Sequence, residues 1–274
     1  MLNSLTVQTI LVTAMTEADD RPAGIVLVRM EIIVDHAFSS DSTAEKPVQA
    51  DARPLSTVEL LQALHSKFSI NFSQSQPSLP LADHVERQAR MLSDVAEQLR
   101  CEAGQSNHQS ALAGYLDEIF GDCMCALYLA SCGLCVPAQM LLRRALELGL
   151  TVVAYWDSPV DFWKWREHDG DIRFTELCSY LEAPAYTTFL RHQRNGATVD
   201  LRPPLSELFP LYRDLSNVVH PKPRNFTTKP GGGYSFKHEE FVRTVQLSEN
   251  VYQVLLNLMI ERFPHLVTNQ GRKD

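Results

Sequence analysis

A chain of 274 residues is long enough for one large domain, or for a domain with an appendage. Its apolar fraction of 45% and charged fraction of 21% are those of an ordinary globular protein, which excludes disordered and fibrous classes. A net charge of −8 excludes a uniformly basic nucleic-acid coat but leaves room for a local basic site, because phosphate affinity follows the clustering of cations.

The first six residues, Met-Leu-Asn-Ser-Leu-Thr, lack a positive segment and a continuous apolar run, so export is not expected. No stretch reaches the roughly 18 uncharged apolar residues of a membrane span. Six cysteines then fit reduced thiols and a cytoplasmic location. Residues 5–15 and 25–34 are rich in β-branched side chains, and turn chemistry around Asp19, Asp20, Arg21 and Pro22 separates them. Two strands in a small β-hairpin are predicted there. An isolated hairpin is marginal in water, so it must pack on the rest of the chain or on a second copy. Residues 38–54 read as a linker. Ser56 and Glu59 form a capping box opening a short helix to about Ser66, with Leu60, Leu61, Leu64 and Phe68 as its apolar stripe. Residues 71–80 read as a second connector, closing an N-terminal region of residues 1–80.

From residue 82 the period is helical. Val85, Ala89, Leu92, Ala96 and Leu99 repeat at three and four, and Gly104 is the expected stop. A longer helix over 108–134 carries Leu112, Ile119 and Leu127. Pro137 opens the next, over 136–156, which is apolar nearly all round and therefore central. Arg143, Arg144 and Glu147 sit within it, and charges there must be paired: Glu147 is four from Arg143 and three from Arg144. Trp163 and Trp165, interleaved with Lys164 and Arg166, either close the end of the bundle or stack bases. One or two short helices follow over 171–195. Helix 205–220 comes next, with Pro210 expected to break it so that order begins at Leu211, and helix 237–263 ends the pattern before Pro264. These helices define a bundle domain of residues 81–265, with a tail over 266–274. Cys123, Cys125, Cys132 and Cys135 invite a zinc reading. Cys123 and Cys125 lie in an apolar helical run and no second spaced pair follows, so core packing is expected instead of a metal.

The chemistry concentrates at residues 211–224, Leu-Tyr-Arg-Asp-Leu-Ser-Asn-Val-Val-His-Pro-Lys-Pro-Arg. Arg213 and His220 are seven apart, about two helical turns, and share a face with Asn217. Pro221 disfavours helical geometry at His220, which puts the histidine at the helix C-terminus, where the macrodipole favours imidazolium. Residues 202–229 carry Arg202, Arg213, Lys222, Arg224 and Lys229 against only Glu207 and Asp214. The basic charge of an acidic chain is gathered at this motif.

An arginine, then a polar residue (Asp214), then a histidine six intervening residues on resembles the signature of the HEPN superfamily, helical bundles of prokaryotic toxins and RNA-cleaving enzymes. The resemblance covers residues 82–263 and implies a mainly α, HEPN-like antiparallel bundle. It implies a metal-independent endoribonuclease without cofactor, acting on an RNA phosphodiester. His220 would be the general acid or base, Arg213 would stabilise the transition-state charge, and Asp214 and Asn217 would orient them. Lys222 and Arg224 would draw in the RNA backbone, and Arg143 or Arg144 would supply a second phosphate contact. The resemblance further implies a homodimer, a toxin or phage-defence role, and an antitoxin or defence partner protein. Two other classes compete. A non-catalytic helical module would bind nucleotides or proteins without cutting, with Arg213 and His220 merely a solvated face and Asp214 or Asn217 capping. A metal-dependent hydrolase would draw on Asp117, Glu118 and Asp122, but no histidine joins them at ligand spacing.

Overall fold

The computed structural model describes residues 55–102, 106–168, 170–171, 173–194, 196, 199–219 and 234–267. All regular structure among them is helical. The predicted strands 5–15 and 25–34 lie outside the described residues.

Four long helices form the core: α2 (Asp83–Cys101), α3 (Asn107–Ser131), α4 (Cys135–Tyr155) and α9 (His238–Arg262). In the ring, α2 packs on α3, α3 on α4, and α9 touches all three. The sequence reason is visible in α2, where Val85, Ala89, Leu92, Val95, Ala96 and Leu99 are buried and the opposite face carries charges. Helix α4 buries twelve of its residues, as an all-round apolar helix must. Polar ties cross the core. Gln88 donates to Gln253 between α2 and α9, and the Tyr252 hydroxyl donates to the Ile119 carbonyl between α9 and α3.

The α3–α4 turn depends on one glycine. Gly133 has φ +82°, its N–H donates to the Ala130 carbonyl, and the Leu134 N–H donates to the Leu129 carbonyl. That is the Schellman pattern, which caps the free carbonyls of α3. A Cβ at Gly133 would stand 2.8 Å from the Ser235 carbonyl oxygen. Gly133→Ala is therefore expected to cost at least about 1–2 kcal/mol, the left-handed penalty, with the backbone clash added. Urea unfolding measures it; an unchanged midpoint would refute the clash. Gly149 serves another purpose, letting α9 approach α4 so closely that a Cβ there would lie 2.5 Å from the Leu255 side chain.

Around this core lie shorter pieces: α5 (Pro159–Glu167), α6 (Phe174–Glu182), α7 (Pro184–Gln193), α8 (Arg202–Val219) and α10 (Pro264–Val267). Helix α8 lies against α4 and α9. Contrary to expectation it runs unbroken through Pro210. The only bond that Pro210 forgoes is to the Ser206 carbonyl, and both residues are exposed, so water can satisfy that carbonyl.

The N-terminal helix departs further from the sequence reading. The Ser56–Glu59 capping box is present, but α1 runs over Thr57–Ser75, past Ser66, and continues into a 3-10 segment, Gln76–Ala82. The predicted connector over 71–80 is thus helical. Buried Asn71 explains it: its amide donates to the Cys132 carbonyl at 2.8 Å, seating the C-terminal half of α1 on the α3–α4 turn.

Cysteine burial divides the six thiols. Cys123, Cys132, Cys135 and Cys178 are buried, whereas Cys101 and Cys125 are exposed, so Cys125 is not the core residue expected of it. Burial pushes the Cys123 thiol up to about 12, against the opposing pull of the Tyr252 hydroxyl. Burial, with Glu182 nearby, pushes Cys178 up to about 12 as well. Only the thiolate reacts with alkylating agents. Iodoacetamide at pH 8 is therefore expected to label Cys101 and Cys125 in the native protein, and the other four only in denaturant. Peptide mass mapping checks this, and rapid native labelling of Cys123 or Cys178 would contradict it.

Candidate functional site

Helix α8 has two faces. Leu205, Leu208 and Leu215 are fully buried, and Leu211 and Tyr212 are partly so. Arg213 and Asp214 are exposed, and Asn217, one turn after Arg213, is partly buried on the same side as the arginine. Arg213 makes no ion pair with the described residues. The helix runs to Val219; His220, Lys222 and Arg224 lie outside the described residues.

The rotation of α8 is set from α4. The Arg143 guanidinium lies 4.9 Å from the centre of the Tyr212 ring and donates to the Tyr212 hydroxyl at 2.9 Å. Its Nε donates to Glu147 at 3.0 Å. Tyr212 also stacks on Phe174 of α6, 3.8 Å between centroids and 3° from parallel. Burial works against the Arg143 charge, but Glu147 and the Tyr212 oxygen together outweigh it and hold the guanidinium pKa above its usual value. With Tyr212 fixed in this way, Arg213 is turned about 100° onward, toward solvent.

Arg144 goes elsewhere. It donates to Asp122 at 2.5 Å and to Glu118 at 3.1 Å, tying α4 to α3. Burial raises the Asp122 pKa, against the attraction of Arg144 and with the repulsion of Glu118. Despite that burial cost, Arg144 itself is held more basic than usual by the two carboxylates together. The adjacent arginines therefore diverge: Arg143 reaches the motif helix and Arg144 does not. Glu147 pairs with Arg143, the i,i+4 partner.

The acidic residues of the metal reading do not converge. Asp117 accepts from Ser93 at 2.7 Å and from Arg100 at 2.6 Å, while Glu118 and Asp122 share Arg144. Among the described residues no cluster of three or more histidine, cysteine, aspartate or glutamate side chains is placed to hold a metal ion. No described helix is long and apolar enough to cross a membrane. Trp165 packs against Tyr115 and Tyr155, whereas Trp163 stays 39% exposed with the Arg166 guanidinium 5.5 Å from its ring.

Tyr212 and Phe174 escaped the sequence reading. A signal for Tyr212 was present: it completes the stripe Leu205, Leu208, Tyr212, Leu215, whose steps of three and four mark the inward face. Nothing in the sequence pairs it with Phe174. Comparison with family models, with curated proteins and with solved structures finds no match to this chain.

Proposed function

We propose that this protein is a HEPN-type bundle that cleaves RNA without a metal, acting as a homodimer in toxin or phage defence. The observation that carries the reading is Arg213, an exposed cation with Asn217 one turn on, on a helix keyed to the bundle by Tyr212, seven residues before His220. RNA brings its own nucleophile. The 2′-hydroxyl gives its proton to a base, its oxygen forms the new bond to phosphorus, and the 5′-oxygen leaves with a proton from an acid. The products are a 2′,3′-cyclic phosphate and a 5′-hydroxyl. His220 is the general acid or base, and its counterpart on the second copy is available for the opposite transfer. Arg213 holds the charge that builds on the phosphorane oxygens. Lys222 and Arg224 supply sequence-independent attraction for the backbone.

The test is cleavage of several RNAs by the purified protein in EDTA, wild type beside His220→Ala. Cutting by the wild type alone, leaving cyclic phosphate ends, is expected. No cutting by either would favour a non-catalytic nucleotide- or protein-binding module.

A further inference from the structure

Helix α1 has one apolar stripe with two different fates. Val58, Leu61, Leu64, Phe68 and Phe72 fall on one side of the helix at about 100° per residue. At the C-terminal end the stripe is seated: Phe68 meets Tyr234 and Phe72 meets Tyr128, each with ring centroids 5.8 Å apart, and Asn71 and Ser75 are buried. At the N-terminal end it is bare, with Val58 63% and Leu61 61% exposed. A shallow open groove there is lined by Val58, Leu61, Gln62, His65 and Ser66. The eleven residues before Phe68 span about 16 Å of helix. A capping box stiffens this end, although its apolar side chains Val58 and Leu61 are exposed and a helix end without apolar packing ordinarily frays.

We infer that this bare end of α1 is the docking site for residues 26–34 of the same chain. Three observations select that occupant. The alternate residues Val26, Val28, Met30, Ile32 and Val34 are all apolar, while the other alternation carries the charges Arg29 and Glu31 between Leu27 and Ile33. An extended segment therefore has one wholly apolar side to lay on the stripe. The chain enters the structure at Leu55, itself 40% exposed, immediately before the bare end, so the segment is tethered beside its site at high effective concentration. The twenty residues between Val34 and Leu55 are more than enough to fold back along 16 Å of helix. Docked together, the segment and the overhang bury one wholly apolar face against another and leave Arg29 and Glu31 on the outer side.

Thiol pairing tests it on the full chain, with the exposed Cys101 and Cys125 replaced by serine. Val28→Cys combined with Leu61→Cys is expected to give an internal cross-link with a short bis-maleimide, migrating as a monomer. Val28→Cys combined with Ala63→Cys, about 160° round the helix, is expected to link at least tenfold more slowly. Adding Val58→Asp to the first pair is expected to abolish its advantage over the second. A cross-link between two chains would assign the face to a second copy and overturn the inference. Equal linking at Leu61 and Ala63, or no linking at either, would overturn it too. Because RNA cleavage plays no part in the readout, the result stands apart from the proposed activity.

Discussion

Arg213→Ala is expected to lower RNA cleavage by about 10²–10³-fold, the cost of deleting one group that stabilises transition-state charge. Stability should hardly move, within about ±0.5 kcal/mol, because the Arg213 side chain is exposed. That contrast is the diagnostic content: activity lost at an unchanged melting temperature. Arg213→Lys keeps the charge but not the planar fork, so partial recovery is expected, well short of wild type. Arg143→Ala should behave differently. It removes the guanidinium from Tyr212 and leaves Glu147 without its partner, so melting and cleavage should fall together. Equal loss of stability in Arg213→Ala would mean that the arginine is structural and would remove it from the site.

Asp157→Asn is expected to cost about 3–5 kcal/mol, the usual penalty for breaking a buried ion pair by removing one partner. Arg262, the last residue of α9, donates to Asp157 at 2.6 Å, and only 7% and 10% of their side chains are exposed. The guanidinium also lies 4.6 Å from the Phe263 ring centre. A second cation is close by, since Arg194 donates to the Glu261 and Arg262 carbonyls and so caps the end of α9. Burial and then the Arg262 charge lower the Arg194 pKa. Without Asp157, the buried Arg262 loses its carboxylate while the like charge of the half-buried Arg194 stays close by. Such a loss is a large part of the stability of a typical domain and should appear as a much lower urea midpoint. The double replacement Asp157→Leu with Arg262→Met should recover most of it, because the desolvation cost of both charges disappears. Failure to recover would show that the pair does more than balance charge.

Much of the bundle was legible from periodicity. The buried residues of α2 are those that the steps of three and four select, and α3, α4 and α9 begin and end close to their expected limits. The capping box at Ser56 was legible because its four atoms are local. The length of α1 was not, because it is fixed by Asn71 bonding to Cys132, sixty-one residues away. Pro210 misled because the cost of a proline depends on whether the deprived carbonyl can reach water, a tertiary property. At the motif, the sequence supplied the candidates Arg213 and Asn217 but could not separate Arg143 from Arg144. Two neighbours on a helix point about 100° apart, and only the positions of α3 and α8 decide which of them meets a carboxylate pair and which a tyrosine.

The order of the ring has a consequence for how the chain assembles. Helices α2, α3 and α4 follow one another through short connections, so their contacts join residues near in sequence and can form quickly. Helix α9 closes the ring only after an excursion of roughly eighty residues, so loop-closure entropy must be met before its contacts repay it. The Gln253 and Tyr252 bonds to α2 and α3 thus belong to the late part of folding. Changes in α9 should act mainly by speeding unfolding, and changes in the α2–α4 seam by slowing folding. On this order the early helices are expected to form the nucleus, and the last helix to act as the latch that sets how long the native state survives.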